Sequence, residues 1–233
     1  MKKLLTSLLV IPFLLANASC GQGKEISVEQ ATEIVNQIET YLKQEVKEEN
    51  FSRKITSHSQ LLNTDDEDID IKIDIEYKKN NKYMYADFYY YVNDKETQKE
   101  IDYTYQNGDK YYTNGVEITS EKYNKTQKNF SSITAASSYL DSVKIDLGFT
   151  SIASMADRYK FYSNGDGNIT VVETLDVSSK EYVYTSTTTY KFDNYKFVSY
   201  EFISEKTTPT QVEKQHRTET VKYHTPIIIS TYK

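Results

Sequence analysis

Asn164, Asp166 and Glu173 stand in the stretch YSNGDGNITVVE at the spacing of oxygen ligands in a calcium loop. With Gly167 at the sixth position, where such a loop turns sharply, Asn164, Asp166, Ile169 and Glu173 fall in register. The first ligand position holds Tyr162 instead of an Asp, and the flanks alternate with period two. A hairpin turning at Asp166-Gly167 accounts for the same residues, so the three oxygen donors are a weak candidate set and no metal is expected. The acidic run TDDEDID over 64–70 lacks a glycine, and its second half already belongs to the wet face of a strand. Solvation explains such a run without a cation. His58, His216 and His224 show no zinc spacing. No nucleophile elbow, phosphate loop or dinucleotide fingerprint occurs. The expectation is a non-enzymatic protein without catalytic residues or a cofactor.

The residue with the most chemistry is Cys20, the only cysteine of the chain. A lone thiol cannot form an internal disulfide. It follows Met1-Lys2-Lys3, an apolar run over 4–15 and the small residues Ala16, Asn17, Ala18 and Ser19. That order is the layout of a secretory signal peptide. The apolar run is too short to span a bilayer, which needs about 20 residues. Cleavage after Ala18 by a general signal peptidase would release a chain beginning at Ser19. Ala18-Ser19-Cys20-Gly21 also resembles the lipobox of bacterial lipoproteins, with Asn17 where that pattern usually has Leu, Val or Ile. The resemblance implies a Cys20 thioether-linked to diacylglycerol and placed at the new N-terminus. It assigns 1–19 to the signal peptide and 20–26 to the lipidated Cys and a short tether. The body, 27–233, is then a single domain on the extracytoplasmic face of the cell membrane. Gly21 to Ile26 would reach roughly 20 Å at full extension, which holds the body close to the lipid surface.

Composition narrows the partners. The net charge of −6 becomes −8 once Lys2 and Lys3 leave with the signal. An acidic body argues against nucleic acid, and against docking on anionic lipid by charge alone. Twenty-two tyrosines and no tryptophan suit half-buried sheet, because Tyr combines β propensity with a polar tip.

The elements that must carry any site follow from periodicity. Val28, Ala31, Ile34, Val35, Ile38, Tyr41, Leu42 and Val46 recur at helical spacing, and Ser27 with Gln30 fits a capping box, so a helix is expected over 27–48. The period then becomes two. Ile69, Ile71, Ile73, Ile75 and Tyr77 alternate with charged residues, and the return strand sets Met84, Ala86, Phe88, Tyr90 and Val92 against Tyr83, Tyr85, Asp87, Tyr89 and Tyr91. Strands are expected near 53–62, 68–79, 82–92, 98–106, 109–113 and 116–119. After a small-residue segment over 120–157, with one or two short helices or a mobile cover, they resume near 159–163, 168–177, 181–192, 195–206 and 211–223. The fold class is α+β: an N-terminal amphipathic helix on a large, strongly curved antiparallel sheet, half-barrel-like, with short helical cover segments.

This order of anchor, helix, hairpins and small-residue interruption resembles the LolA/LppX-type lipoprotein-carrier fold. In that family the concave face of the sheet holds acyl chains under covering helices. The resemblance implies a lipid or other apolar ligand on Ile71, Ile73, Ile75, Met84, Phe88 and Tyr90, covered by 132–157. Ordinary core packing against the N-terminal helix explains the same six residues. Two functions stay open: a surface lipoprotein binding an apolar ligand, and a surface interaction or adhesion lipoprotein whose protein partner meets the stripe of Tyr83, Tyr85, Tyr89 and Tyr91.

Overall fold

A computed structural model describes residues 23–44, 50–63, 66–80, 83–130, 132–165 and 167–223. Cys20, Val46, Asp166 and His224 lie outside the described residues. The first element is a short strand, β1 (Lys24–Ile26), followed by helix α1 (Val28–Lys43). Six strands come next: β2 (Phe51–Asn63), β3 (Ile69–Lys79), β4 (Tyr83–Val92), β5 (Lys95–Asn107), β6 (Lys110–Thr113) and β7 (Val116–Ile118). Helices α2 (Ser120–Asn129) and α3 (Ser132–Phe149) and a short 3-10 turn (Ala156–Arg158) interrupt them. The chain then returns to strand with β8 (Tyr159–Ser163), β9 (Ile169–Ser178), β10 (Val183–Asp193), β11 (Lys196–Thr207) and β12 (Gln211–Tyr223).

All twelve strands join one antiparallel sheet in the order β1-β8-β9-β10-β11-β12-β2-β3-β4-β5-β6-β7. Two hairpin meanders, β2–β7 and β8–β12, are fused where β12 pairs with β2 along thirteen residues, from Gln211 opposite Asn63 to Tyr223 opposite Phe51. The long helix α3 departs from the expected short cover. Residues 24–26, expected as tether, form a strand whose Ile26 pairs with Phe161, so the folded body begins earlier than 27. Three residues are too few for a period to register in a sequence.

Local chemistry fixes the ends of these elements. Ser27 Oγ accepts from the Gln30 amide at 3.3 Å, while the Ser27 amide donates to Gln30 Oε1 at 3.0 Å. That reciprocal pair satisfies two amides that a helix start leaves open. Helix α1 ends at Lys43 with Gln44 in extended conformation, short of the expected 48. The β4–β5 turn uses Asn93 and Asp94 at φ 49° and 62°, and the β10–β11 turn uses Asn194 and Tyr195 at 49° and 63°. Left-handed backbone is unusual for an aromatic residue. Tyr195 is held there from two sides. Its ring stacks on Tyr41 of α1, with centroids 5.5 Å apart, and its amide donates to the Gly167 carbonyl at 2.9 Å.

The core lies between one face of the sheet and the helices. Ala31, Val35 and Ile38 of α1, and Ala136, Leu140 and Val143 of α3, meet Phe161, Ile169, Val171, Phe192, Phe197, Val221 and Phe51 from the strands. Register explains which strand residues face inward. Val171, Tyr190, Tyr200, Glu219, Ile55, Ile75 and Phe88 lie directly opposite one another along one row across β9, β10, β11, β12, β2, β3 and β4. Opposed residues in an antiparallel ladder share a face. The helix-side face is thus continuous across both meanders.

Candidate functional site

The helices cover only part of that face. Helix α1 packs on α3 and on the β8–β9 end of the sheet, α3 also meets β11, and α2 lies on β6. Tyr123 of α2 packs on Tyr111 at 4.4 Å, and Phe130 meets the Tyr77 ring edge-on at 5.3 Å. Met84 is buried within the core. Ile71, Ile73, Ile75, Phe88 and Tyr90 are half-buried and stand outside that core. The sequence reading placed these six residues on one surface under 132–157. The register confirms the shared face, since Ile73 opposes Tyr90, Ile75 opposes Phe88 and Lys79 opposes Met84. The cover is corrected: the described part of 132–157 closes the β8–β12 side and leaves the β3–β4 wing beyond it. Physically, α3 follows its apolar residues Ala136, Leu140 and Val143, which are met by α1 and the aromatic side chains of β10 and β11.

The boundary between the covered and uncovered regions is polar and ordered. Glu219 of β12 is fully buried. Its Oε1 accepts from Arg53 Nε at 2.6 Å, and its Oε2 accepts from the Tyr139 hydroxyl at 2.6 Å, which ties α3 to β12 and β2. Burial, with the carboxylate alongside, holds the Tyr139 phenol far above its ordinary pKa, so it stays a donor. Arg217, one step outward on the same face, is exposed and lies over the Tyr200 ring at 6.0 Å. Its row runs Phe202, Arg217, Ser57, Ile73, Tyr90. The next row runs Ser204, Gln215, Ser59, Ile71, Val92. The uncovered face is thus polar and cationic on β12 and β2, with Phe202 and Ser204 beside it on β11, and apolar on β3–β4. A second group lies beneath α3, where Asp146 is buried near the Arg158–Glu173 ion pair of 2.6 Å.

The calcium-loop reading does not survive the geometry. Asn164 sits in the β8–β9 turn, whereas Glu173 lies opposite Tyr159 at the far end of the hairpin, engaged by Arg158 and by the Tyr159 hydroxyl at 3.3 Å. Five residues of extended strand between Asn168 and Glu173 span roughly 16 Å, too far for one ion. Asp166 lies outside the described residues.

Sequence spacing missed one juxtaposition. The β12–β2 pairing sets His216 directly opposite His58 on the outer face. His58 Nε2 meets both Asp70 oxygens at 2.9 and 3.0 Å, and His216 Nε2 meets Glu201 at 2.9 Å. The His58 contact, then Gln60, hold the Asp70 carboxyl below its ordinary pKa. Each imidazole is turned to its own carboxylate, and among the described residues no group of three His, Cys, Asp or Glu could hold a metal.

The tyrosine stripe lies on that outer face. Tyr83 stacks on Tyr103 at 5.4 Å, Tyr103 meets Tyr105 at 5.3 Å and Tyr105 stacks on Tyr112 at 5.2 Å, while Tyr89 and Tyr91 stack at 6.3 Å. Lys99 lies 5.1 Å over Tyr89 and Lys78 lies 5.6 Å over Tyr85. Most of these rings are half-buried by one another; Tyr103 is buried. Ring stacking along a sheet explains much of the tyrosine content. A separate open groove of about 490 Å³ runs beside α1, lined by Asn36, Gln37, Gln44, Tyr41 and Tyr195 among others. Its amide-rich lining does not suit an apolar ligand. No described helix is long and apolar enough to cross a membrane.

No family model matches the chain, and no curated sequence matches it. Among solved structures, the S-type phycobiliprotein lyase CPES of Guillardia theta aligns with 81% of this chain and 94% of its own. The identity is 8% and the TM-score 0.22, so that likeness carries no argument about fold or function.

Proposed function

We propose that this chain is a non-enzymatic, lipid-anchored bacterial surface protein that holds an apolar ligand on the uncovered wing of its helix-side face. The observation that carries this reading is the separation of Ile71, Ile73, Ile75, Phe88 and Tyr90 from the core. These side chains share the inward face, yet none of them belongs to the buried core or to the partly buried residues packed against it. An acyl chain laid there would remove apolar area from water at ~25 cal/mol per Å². In this reading the sheet curls toward a half-barrel, and Cys20 carries the diacylglycerol. The strand β1 begins beside Ser163, at the end of the sheet that holds Phe51 and Tyr223, and Leu61 and Ile69 lie at the other end.

The test starts from a Cys20→Ala chain secreted into a bacterial periplasm. It is expected in the soluble fraction while the parent chain stays with the membrane. Native mass spectrometry of the released protein is then expected to show a bound mass released as lipid on activation. Ile73→Ser and Phe88→Ser should each reduce the loaded fraction several-fold with unchanged circular dichroism. Equal partitioning of the two chains would remove the anchor, and a clean apo mass with no uptake of added fluorescent lipid would remove the ligand. The ordered rings of Tyr83, Tyr85, Tyr89 and Tyr91 favour a second reading, a partner-binding outer face. Normal partner adhesion by their serine variants would eliminate it.

A further inference from the structure

We infer that the ligand of the uncovered face is an anionic amphiphile whose acid group is received by Arg217, with its chain running across Ser57 toward Ile73 and Tyr90. The inference rests on the apolar-ligand reading above and adds a head group to it. On the β11, β12 and β2 part of this face three cationic side chains need to be distinguished, while Lys79 and Lys95 lie on β3 and β5, opposite Met84 and Val92. Arg53 is taken by Glu219 at 2.6 Å. Lys206 lies two rows farther out, over the Tyr182 ring at 5.6 Å and opposite Glu213. Arg217 has no carboxylate within ion-pair distance among the described residues.

The carboxylates nearest to Arg217 along its own strand are both engaged. Glu219 gives one oxygen to Arg53 and the other to Tyr139. Glu213 accepts from Gln215 Nε2 at 3.1 Å. The guanidinium is instead positioned by an aromatic ring: it lies over Tyr200, which is itself stacked on Tyr139 of α3 at 5.0 Å. An arginine that meets a ring and no carboxylate keeps N–H groups free for a carboxylate or phosphate. Strand spacing then places the apolar wing within reach. Ser57 is one strand away, Ile73 two and Tyr90 three, or roughly 5, 10 and 14 Å at ordinary sheet spacing. Ser57 and Ser59 keep the intervening strip narrow and unobstructed, since neither carries a large side chain. A neutral chain would lie equally well on the isoleucines but would leave the cation unused. An anionic one satisfies both halves of the face.

The test uses the Cys20→Ala chain, which keeps every described residue, titrated with two fluorescent probes: a pyrene-labelled dodecanoic acid and its methyl ester. The acid should bind about tenfold more tightly than the ester at low salt, with that preference shrinking as salt rises. Arg217→Gln should abolish the preference and leave ester binding unchanged, and Arg217→Lys should restore part of it. Arg217 is exposed, so these variants are expected to fold with parental circular dichroism. Equal binding of acid and ester, unchanged by Arg217→Gln, would overturn the head-group assignment and leave the apolar-face reading standing. Binding of neither probe would overturn both.

Discussion

Replacing Glu219 by alanine is expected to cost about 3–5 kcal/mol of folding free energy, the effect of removing one partner from a buried ion pair. Glu219 is fully buried, and both carboxylate oxygens are used at 2.6 Å, one by Arg53 Nε and one by the Tyr139 hydroxyl. Alanine would strand the Arg53 charge, whose side chain is only 20% exposed, and leave the Tyr139 hydroxyl without its acceptor. Against a total stability of about 5–15 kcal/mol for a domain, that is a large fraction. Because Tyr139 belongs to α3, the loss should also loosen the helix that caps the β8–β12 side. Glu219→Gln can still accept from Tyr139 but leaves the guanidinium without a counter-charge, so its cost should be smaller, about 2 kcal/mol. The double variant Arg53→Leu, Glu219→Leu removes both charges together. It should be more stable than Glu219→Leu alone, since apolar replacement of a whole buried pair is tolerated better than half of it. Urea unfolding at constant slope reads all four variants. A loss below 1 kcal/mol in Glu219→Ala would show that the network contributes little.

Glu219 also marks where the sequence stops being informative. The run QVEKQHRTETVKY reads as a strand, and the inward-facing residues of β12 are Gln211, Glu213, Gln215, Arg217, Glu219, Val221 and Tyr223. The first five are polar or charged, so alternation alone gives no hint that this strand sits at the centre of the sheet between β11 and β2. The pairing of β12 with β2 is a tertiary event across most of the chain, and it creates both the Arg53–Glu219 contact and the His58–His216 juxtaposition. By contrast β3 and β4 were legible to within a residue, because Ile69 to Tyr77 alternate without interruption and the return strand mirrors them. Of the candidate ligand-binding residues, five lie together on the uncovered wing, and Met84 turned out to be core. Its neighbour across the ladder is Thr104, beside the Thr113 and Tyr111 strand that α2 covers. Periodicity can assign a face, but it cannot tell where along that face a helix stops. The three-residue β1 carries no period at all, and Arg217 reads as one more charge on a polar strand until Tyr200 is seen beneath it.

The contribution of Asp146 to the stability of the protein should fall as pH rises from about 4 to about 7. This carboxyl lies on the buried side of α3, 7% exposed, with Oδ2 lacking a hydrogen-bond partner among the described atoms. Burial first, and then the nearby Glu173 charge, push it up to about 7, against the opposing pull of Arg158. Arg158 cannot compensate fully because its Nη2 is already bonded to Glu173 at 2.6 Å. The other groups facing Asp146 are phenols, Tyr159 from β8 and Tyr190 from β10, whose own ionisation is driven upward by burial, with Tyr159 at about 12. Neither titrates in the neutral range. A carboxyl raised in the folded state binds its proton there while the unfolded chain has already released it. Between the unfolded value near 3.8 and the folded value near 7, each step up in pH therefore favours unfolding; above 7 the loss is complete. The accumulated penalty is on the order of 3 kcal/mol once local relaxation and water entry are allowed for. Asp146→Asn keeps the shape and removes the charge. It should match the parent near pH 4 and exceed it by that amount at pH 8, and the difference should grow between those limits and nowhere else. Urea titrations of both chains across that range supply the comparison. A difference that stays flat with pH would show that Asp146 is ionised in the folded state at all these pH values, and that α3 carries no proton-linked cost. If the difference follows the expected course, α3 packs more tightly in acid than at neutrality, and hydrogen exchange of its amides should slow in parallel.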